Sequence, residues 1–236
     1  MWFQVIKHYL EMGVDVNEVA VSGCTAVFLG VPHYEILELL ISYGADLNHR
    51  TYEGFTALME VYIIDPPNPL GTRSCAQLLL ENGADMNALN NFGYNALVCA
   101  MENLEPNISD VRLLFEYNVD LDGLYLSPKF PTHDLPKSLL YIAYDFENFE
   151  IAELCLQYGL DMTKQNWLLD TACLPIGLRG NYHLYKKLLH LYQNPLDLSV
   201  LARNKVRRSL GRRDISKAVT QLGLPKSLED FVSCKW

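Results

Sequence analysis

An amphipathic helix that ends at a glycine recurs along this sequence, and this recurrence restricts the possible folds more than any other feature. The clearest copy covers residues 75–87, CAQLLLENGADMN. The helix-ending positions are separated by 31, 39, 35 and 41 residues and are Gly13, Gly44, Gly83, Asn118 and Gly159. Such a period is typical of stacked repeats, in which each unit buries its apolar face against its neighbours. The pattern predicts an all-α solenoid and not a single globular core.

The end of each copy requires a residue that tolerates a left-handed backbone conformation. Glycine adopts a positive φ at little cost because it has no Cβ, and it commonly follows the last turn of a helix. Asparagine is the usual non-glycine residue there. We therefore interpret the copy that ends at Asn118 as a variant of the same repeat.

A second signature lies twelve residues after three of the glycines, at Thr25, Thr56 and Asn95, each followed by alanine. Side-chain oxygens of Thr and Asn accept hydrogen bonds from the free amides at the start of a helix. We predict that each repeat contains a turn, a short helix capped by this residue, and a second, longer helix. A fifth unit begins with a predicted helix at residues 168–173 and ends the array, although Pro175 falls where this helix should continue.

Prolines interrupt the array between the two helices of several repeats. Residues 64–71 contain three prolines and are predicted to form a loop, because proline cannot continue a helix. Residues 124–137 also contain three prolines and are predicted to lengthen a hairpin. Insertions in a solenoid lie on surface loops, often on the binding side. Insertions also occur where a repeat tolerates changes of sequence without a role in binding, and both interpretations stay open.

These segments resemble the ankyrin repeat. Its pattern places Gly-x-Thr-Pro-Leu-His before the first helix and Leu-Leu-x-x-Gly-Ala-x-x-Asn after the second. Here Gly54-x-Thr56-Ala57-Leu58 matches the first part, and the Gly-Ala-Asp runs match the second, whereas the proline and histidine of the pattern are absent. The resemblance implies about five ankyrin repeats in residues 1–194.

The first of these repeats contains only its second helix, so it is incomplete. We expect Met1 to begin a fragment, a short isoform or an incomplete gene model. An unusual terminal cap is the alternative.

Residues 195–236 differ chemically from the rest of the chain. They contain nine Lys or Arg against four Asp or Glu, a net charge of +5, whereas residues 1–194 contain ten against 24, a net charge of −14. Phosphate neutralisation by basic residues supplies most of the affinity for nucleic acid, so the acidic body argues against that ligand. Three short helices of about forty residues in total bury too little apolar surface to be stable alone.

The first helix of this tail is predicted to be amphipathic, with basic residues around much of its surface. Its apolar side is formed at positions i, i+3, i+4, i+8 and i+12 by Leu198, Leu201, Ala202, Val206 and Leu210.

The tail resembles a SOCS box, and its place after ankyrin repeats is similar to the ankyrin-repeat and SOCS-box family. In that family a leucine, a cysteine four residues on and an aliphatic residue four further bind elongin C. Leu198, Ala202 and Val206 occupy those positions, and Arg207-Arg208-x-Leu210-Gly211 matches the usual continuation. The resemblance implies that all five apolar residues of the helix bind elongin C. Alanine in place of the cysteine should weaken this binding by roughly 1 kcal/mol.

The end of the tail resembles the cullin box, which reads leucine-proline-leucine-proline followed by an aliphatic residue three positions on. The resemblance implies a cullin-binding site at Leu222, Leu224, Pro225 and Leu228, with Gly223 in place of the first proline. A glycine there loosens the loop, because proline restricts the unbound chain. The implied partners are elongin C, elongin B, and cullin five with its RING subunit.

Hairpin tips and first-helix positions are the predicted contacts to a target protein. Aromatic and Arg residues at exposed tips suit the hot spots of protein interfaces. The candidates are Arg50, Tyr52, Glu53, Phe55, Asn91, Phe92 and Tyr94. Phe55 and Tyr94 are equally compatible with packing between neighbouring hairpins.

Motifs of an enzyme active site are absent from the sequence, including a phosphate-binding glycine loop, His-Glu-x-x-His and Gly-x-Ser-x-Gly. The six histidines and six cysteines are dispersed, so we predict neither a metal site nor a disulfide framework. No apolar run approaches the roughly 18 residues that a membrane span requires. We expect a cytoplasmic protein, with the nucleus as a second compartment.

The resemblance implies a non-catalytic, cofactor-free receptor subunit of a ubiquitin ligase, whose repeats bind a target protein while residues 195–236 recruit the elongins and the cullin. The alternative is an ankyrin interaction scaffold whose box has drifted, through Ala202 and Gly223, until it no longer recruits a ligase.

Overall fold

The computed structural model describes residues 2–31, 33–63, 69–102, 108–125, 136–194, 202–203, 206–207, 209–210, 215–221 and 225–233. The chain divides into two units, residues 1–113 and 114–236. Among the described residues, helices predominate and one short pair of strands is present. The fold class is therefore all-α, as the sequence predicts.

The first unit is a series of helices in which each short helix precedes a longer one. The short helices are α2 (Ala26–Gly30), α4 (Ala57–Ile63) and α6 (Ala96–Glu102), and the longer ones that follow them are α3 (Tyr34–Ser42), α5 (Pro69–Glu81) and α7 (Ile108–Glu116). A single helix, α1 (Trp2–Glu11), precedes these pairs. The boundary between the two units lies within α7. The predicted order of a short and a long helix is confirmed for these three pairs.

The longer helices end as the glycine pattern predicts. The φ angles of Gly13, Gly44, Gly83 and Gly159 lie between 81° and 92°. Asn118 also has a positive φ, 65°, which confirms that it replaces glycine in the left-handed conformation.

The predicted caps of the short helices are confirmed at two positions and wrong at one. Asn95 Oδ1 accepts a hydrogen bond from the Val98 amide at 2.9 Å, and Thr56 Oγ1 accepts one from the Met59 amide at 3.4 Å. Thr25 precedes α2 with an extended backbone, but its buried hydroxyl makes no cap hydrogen bond.

The core of the first unit receives fully buried leucines from both helices of a pair. Leu58 and Leu97 lie on short helices, and Leu37 and Leu79 lie on longer ones. Full burial of one such side chain stabilises a fold by about 1.5–3 kcal/mol. The helix-period spacing that defines the repeat in the sequence is thus also the spacing of the residues that hold it together.

The loop predicted over residues 64–71 is wrong at its end, because α5 begins at Pro69. Proline is well suited to the first turn of a helix, where the amide hydrogen has no partner and φ is already helical. Residues 64–68 lie outside the described part of the chain.

The second unit begins with a hairpin and a further helix pair. Its strands are β1 (Leu124–Tyr125) and β2 (Lys137–Ser138), which pair antiparallel with Leu124 opposite Ser138. The helices that follow are α8 (Leu139–Asp145) and α9 (Phe149–Gln157). Ser138 Oγ accepts a hydrogen bond from the Tyr141 amide at 3.3 Å, so the last strand residue also caps α8.

The predicted first helix of the fifth unit is wrong. Four short 3-10 turns occupy this region, at Met162–Lys164, Asn166–Leu169, Thr171–Cys173 and Ile176–Leu178. Asp161 and Asp170 accept hydrogen bonds from amides two residues further on, a local bond that competes with a regular helix. Pro175 then cannot donate to a helix. The longer helix of this unit is α10 (Tyr182–Gln193), whose Leu188 is fully buried.

Three helical segments follow. The chain is helical at 202–203, 206–207 and 209–210, and then forms α11 (Ile215–Gln221) and α12 (Lys226–Ser233). Val219 of α11 and Val232 of α12 are buried together, and Leu210 packs against them. These three residues form an apolar cluster within the described part of the tail.

Candidate functional site

The hairpin tips of the first unit are three similar turns, at residues 20–24, 51–55 and 90–94. Backbone hydrogen bonds close each turn, for example from the Thr51 amide to the Phe55 carbonyl at 3.0 Å and from the Asn90 amide to the Tyr94 carbonyl at 2.9 Å. The Phe92 and Tyr94 amides also donate to Asn90 Oδ1. These bonds give the tips a defined shape.

Neighbouring tips are joined by hydrogen bonds to backbone groups. Asn91 donates from its amide to the Glu53 carbonyl at 2.9 Å and from Nδ2 to the Tyr52 carbonyl at 2.8 Å. Arg50 Nη2 donates to the Leu89 carbonyl at 2.5 Å. The second and third tips therefore form one continuous surface.

The predicted target-binding residues divide into exposed and packed groups on this surface. Tyr52 is 72% exposed and Phe92 is 45% exposed, and the other exposed members are Arg50, Glu53 and Asn91. Tyr94 is buried, and its ring lies 5.9 Å from that of Phe92. Phe55 is half-buried, with its ring 6.1 Å from Phe92. Target binding by any of these residues stays a prediction.

In the tail, one side of the segment 202–210 faces the interior of the second unit. Arg203 and Arg207 are only 5% and 3% exposed, and Leu210 packs against Val219 and Val232. Their spacing of i, i+4 and i+7 places these three residues on one side of a helix. We call Arg203, Arg207 and Leu210 the inward stripe.

The buried guanidinium groups donate to backbone carbonyls near the ends of three helices. Arg207 Nη2 donates to the Phe115 carbonyl of α7 at 3.1 Å, and Arg207 Nη1 donates to the Val232 carbonyl of α12 at 3.0 Å. Arg203 Nη2 donates to the Gln157 carbonyl of α9, also at 3.0 Å. The last four carbonyls of a helix have no partner within it, and the negative end of the helix dipole favours a cation there.

The Arg207 guanidinium also lies over an aromatic ring. Its Cζ is 4.5 Å from the centre of the Tyr158 ring, and that ring lies 5.2 Å from Phe115. A desolvated cation over an aromatic face contributes about 2 kcal/mol. Hydrogen bonds and the ring together compensate for the burial of this charge.

An adjacent side of the same segment is exposed. Ala202 and Ser209 are exposed, and Val206 is 36% exposed. These residues also have i, i+4 and i+7 spacing and lie about 100° around the helix from the inward stripe. We call Ala202, Val206 and Ser209 the outward stripe.

Binding of elongin C by the five residues assigned to it stays a prediction. Ala202 and Val206 belong to the outward stripe, whereas Leu210 lies on the inward stripe, partly covered by α11 and α12. The predicted residues Leu198 and Leu201 lie outside the described part of the chain.

The predicted cullin-binding residues are partly described. Pro225 and Leu228 are exposed at the start of α12, and the Leu228 amide donates to the Pro225 carbonyl at 2.8 Å. Leu222, Gly223 and Leu224 lie outside the described residues.

Sequence reasoning missed the inward role of Arg203 and Arg207. Basic residues on an amphipathic helix normally face solvent, and the sequence pattern did not distinguish these two arginines from the other basic residues of the helix. The available signal was that 203, 207 and 210 repeat the spacing of 202, 206 and 209 one position further along.

Two classes of site were searched for and not found within the described ranges. No group of three or more His, Cys, Asp or Glu side chains is close enough to hold a metal ion. In the same part of the chain, no helix has the length and hydropathy needed to cross a membrane.

Comparison with protein families identifies two domains in this chain. A model of ankyrin repeats matches residues 69–166 in three copies, and a model of the SOCS box matches residues 194–233. The second match contains both stripes and the start of α12.

Comparison with individual proteins gives relatives whose names contain the same two domains. The chain is similar to proteins called ankyrin repeat and SOCS box protein 6 from Homo sapiens and Pongo abelii, at 30% identity over 119 residues, which is 48% of this chain and 27% of each relative. The protein of that name from Mus musculus is 31% identical over 114 residues, 45% of this chain and 26% of the relative. The chain thus spans about a quarter of the length of the relatives it matches.

Proposed function

Because the chain belongs to the ankyrin repeat and SOCS box-containing family, we propose that it is a substrate-recognition subunit of an elongin B/C–cullin–RING E3 ubiquitin ligase. In this proposal residues 195–236 recruit elongin C, elongin B and cullin five with its RING subunit, and the ankyrin repeats bind a target protein.

The observation that most supports this proposal is the outward stripe. An exposed valine and alanine lie side by side on a helical segment whose other side is occupied by buried arginines. The segment lies within the residues that match the SOCS box. An apolar stripe next to water favours a protein partner whose groove accepts a helix.

The proposed mechanism is proximity. A receptor that binds the target and the cullin complex at once raises the effective concentration of a target lysine near the ubiquitin-conjugating enzyme that carries ubiquitin. No side chain of this chain needs to react with the target.

The proposed target surface is formed by the joined tips of the first unit. Exposed Tyr52, Phe92 and Arg50 are of the types enriched at protein-interface hot spots, and the hydrogen bonds of Asn91 order the tips before a partner binds. Phe55 and Tyr94 support the ring of Phe92 from below the surface.

Co-purification with elongin B and elongin C tests the proposal. We expect stoichiometric capture by the parent chain and loss of capture in Leu198→Asp and Val206→Asp, because each places a charge against an apolar groove. Gln221→Asp, at an exposed position of α11, is the matched control and should bind as the parent does. Ala202→Cys should bind more tightly by about fivefold, since it refills the pocket at a gain of roughly 1 kcal/mol.

The second candidate is an ankyrin scaffold with a degenerate box, favoured by Ala202 and Gly223 at the positions of the family's cysteine and proline. Absence of capture by a folded parent chain would support the scaffold and refute the ligase proposal.

A further inference from the structure

The inward stripe presents an unusual combination of burial and charge. Arginine is almost never buried unless its guanidinium group has partners. Arg203 and Arg207 lie four residues apart on one segment, and both are buried. The acceptors of their guanidinium groups include carbonyls of α7, α9 and α12. These two side chains therefore join the segment 202–210 to elements before and after it in the chain.

Arg207 connects the segment to several elements at once. Its two terminal nitrogens donate to α7 and α12, and its guanidinium lies over Tyr158 immediately after α9. Its own carbonyl accepts a hydrogen bond from Asn118 Nδ2 at 3.4 Å. Both the side chain and the backbone of this residue are thus fixed. The rigid, planar guanidinium suits such divergent contacts better than the single ammonium of lysine.

The position of the outward stripe follows from these contacts. Ala202 and Val206 each immediately precede one of the two arginines. On a helix, fixing the direction of Arg203 and Arg207 fixes the direction of their neighbours. Contacts on the inner side therefore orient the outer side.

We propose that Arg207, supported by Arg203, is a positioning residue that holds the segment 202–210 against α7, α9 and α12, so that the outward stripe has its binding conformation before an adaptor protein arrives. The identity of the adaptor rests on the proposed function, but the positioning role does not. A protein whose competent conformation is only fractionally populated binds with an affinity reduced by that fraction. Loss of Arg207 should lower this population and leave the contact surface chemically unchanged.

Hydrogen exchange in the free chain is the first test. We expect the amides of residues 202–210 to exchange at least tenfold faster in Arg207→Met than in the parent, and to be accelerated by a larger factor than the amides of α8. Arg207→Lys, which keeps the charge and loses the planar fork, should lie between the two. Lys186→Met is the matched control, since it removes a cation from an exposed position of α10 and should change neither region.

Two results of this experiment would overturn the proposal. One is unchanged exchange of residues 202–210 in a folded Arg207→Met chain, and the other is equal acceleration throughout the second unit, which indicates a general stabilising role. If Arg207→Met does not fold, Arg203→Met replaces it, because Arg203 donates to a different helix end, the Gln157 carbonyl of α9. The same two outcomes then apply to Arg203.

Binding kinetics with purified elongin B/C complex give the second test. A positioning role predicts that Arg207→Met lowers the association rate constant three- to tenfold and leaves the dissociation rate constant within twofold. Val206→Asp should instead raise the dissociation rate constant, because Val206 is a proposed contact. A faster dissociation in Arg207→Met with unchanged association would refute positioning and make Arg207 a contact.

Failure of the proposed function gives a different result. In that case the parent chain binds no elongin, whereas the exchange experiment still reports on Arg207.

Discussion

In the first unit neighbouring repeats are joined by asparagines, whereas in the second unit the tail is joined to the helices by buried arginines. Asn48, which is exposed, accepts a hydrogen bond from the Asp85 amide at 2.7 Å and donates to the Gly83 carbonyl at 3.2 Å. Asn17 makes the equivalent bonds with Asp46 and Gly44. Both regions thus use polar side chains to bind the backbone of another element.

The two regions differ in whether water can replace a hydrogen bond that a substitution removes. Water can reach the backbone groups beside an exposed asparagine, so the net contribution of each bond is only about 0.5–1.5 kcal/mol. A carbonyl that loses a buried arginine keeps its desolvation cost, and bonds to charged groups contribute about 1.5–3 kcal/mol. The repeats should therefore tolerate substitution of their joining residues, and the tail should not.

The largest expected effect is that of Arg207→Ala on the second unit. The carbonyls of Phe115 and Val232 would each lose a charged donor, and the ring of Tyr158 would lose its cation. We expect the free energy of unfolding of this unit to fall by about 3 kcal/mol. Urea denaturation followed by circular dichroism measures the change.

Buried cysteines show which unit has opened in that variant. Burial raises the pKa of the Cys75 thiol to about 11 and that of the Cys155 thiol to about 12, so both react with maleimide only when their unit opens. Arg207→Ala should accelerate labelling of Cys155 and leave Cys75 unchanged. Equal acceleration of both thiols would remove the distinction between the two regions. Exposed Cys173 is the internal control and should label rapidly in every variant.

A smaller effect is expected where two hairpin tips meet in the first unit. Gly54 has a φ of 83°, and a Cβ there would lie 2.6 Å from Asn91 Oδ1 and 2.8 Å from the Asn91 amide nitrogen. Gly54→Ala should therefore cost about 2–3 kcal/mol, of which about 1–2 kcal/mol is the left-handed backbone. Thermal denaturation measures the loss.

Gly83→Ala is the matched control for that substitution. Its φ is 92°, and no atom lies within 4 Å of the added Cβ, so it should show the backbone cost alone. Equal losses in the two variants would mean that contacts between the tips contribute nothing.

The smallest effect is expected for Asn48→Ala. It removes two exposed hydrogen bonds, and we expect a loss of about 1–2 kcal/mol in urea denaturation. Asn48→Asp keeps the acceptor for the Asp85 amide and loses the donor to Gly83, so its loss should be intermediate. If Asn48→Ala destabilises the chain as much as Arg207→Ala does, burial is not what separates the two regions.

Local features of the repeats could be predicted well because each acts over a few residues. The left-handed residues, including Asn118, followed from the cost of a Cβ at positive φ, and Asn95 followed from the free amides at a helix start. The prediction of a first helix in the fifth unit was wrong because Asp161 and Asp170 favour local turns over a helix. A sequence pattern does not show which of two such local hydrogen bonds is more stable.

The candidate site in the tail could be predicted only in part. Apolar spacing assigned Ala202 and Val206 to the elongin-binding side; both are exposed, and their binding of elongin C stays a prediction. The same spacing assigned Leu210 to that side, although it packs against Val219 and Val232. Helical period restricts which residues share a side, but it does not say which side meets another element.

The sequence by itself determined that this chain repeats a short and a long helix and ends in a basic, helical tail, because period, caps and glycines act locally. Only the tertiary structure decided that two of the tail's basic residues point inward. An arginine has the same charge on either side of a helix, and its burial becomes favourable only where helix ends from distant parts of the sequence supply carbonyl acceptors. In this chain those carbonyls belong to Phe115, Gln157 and Val232.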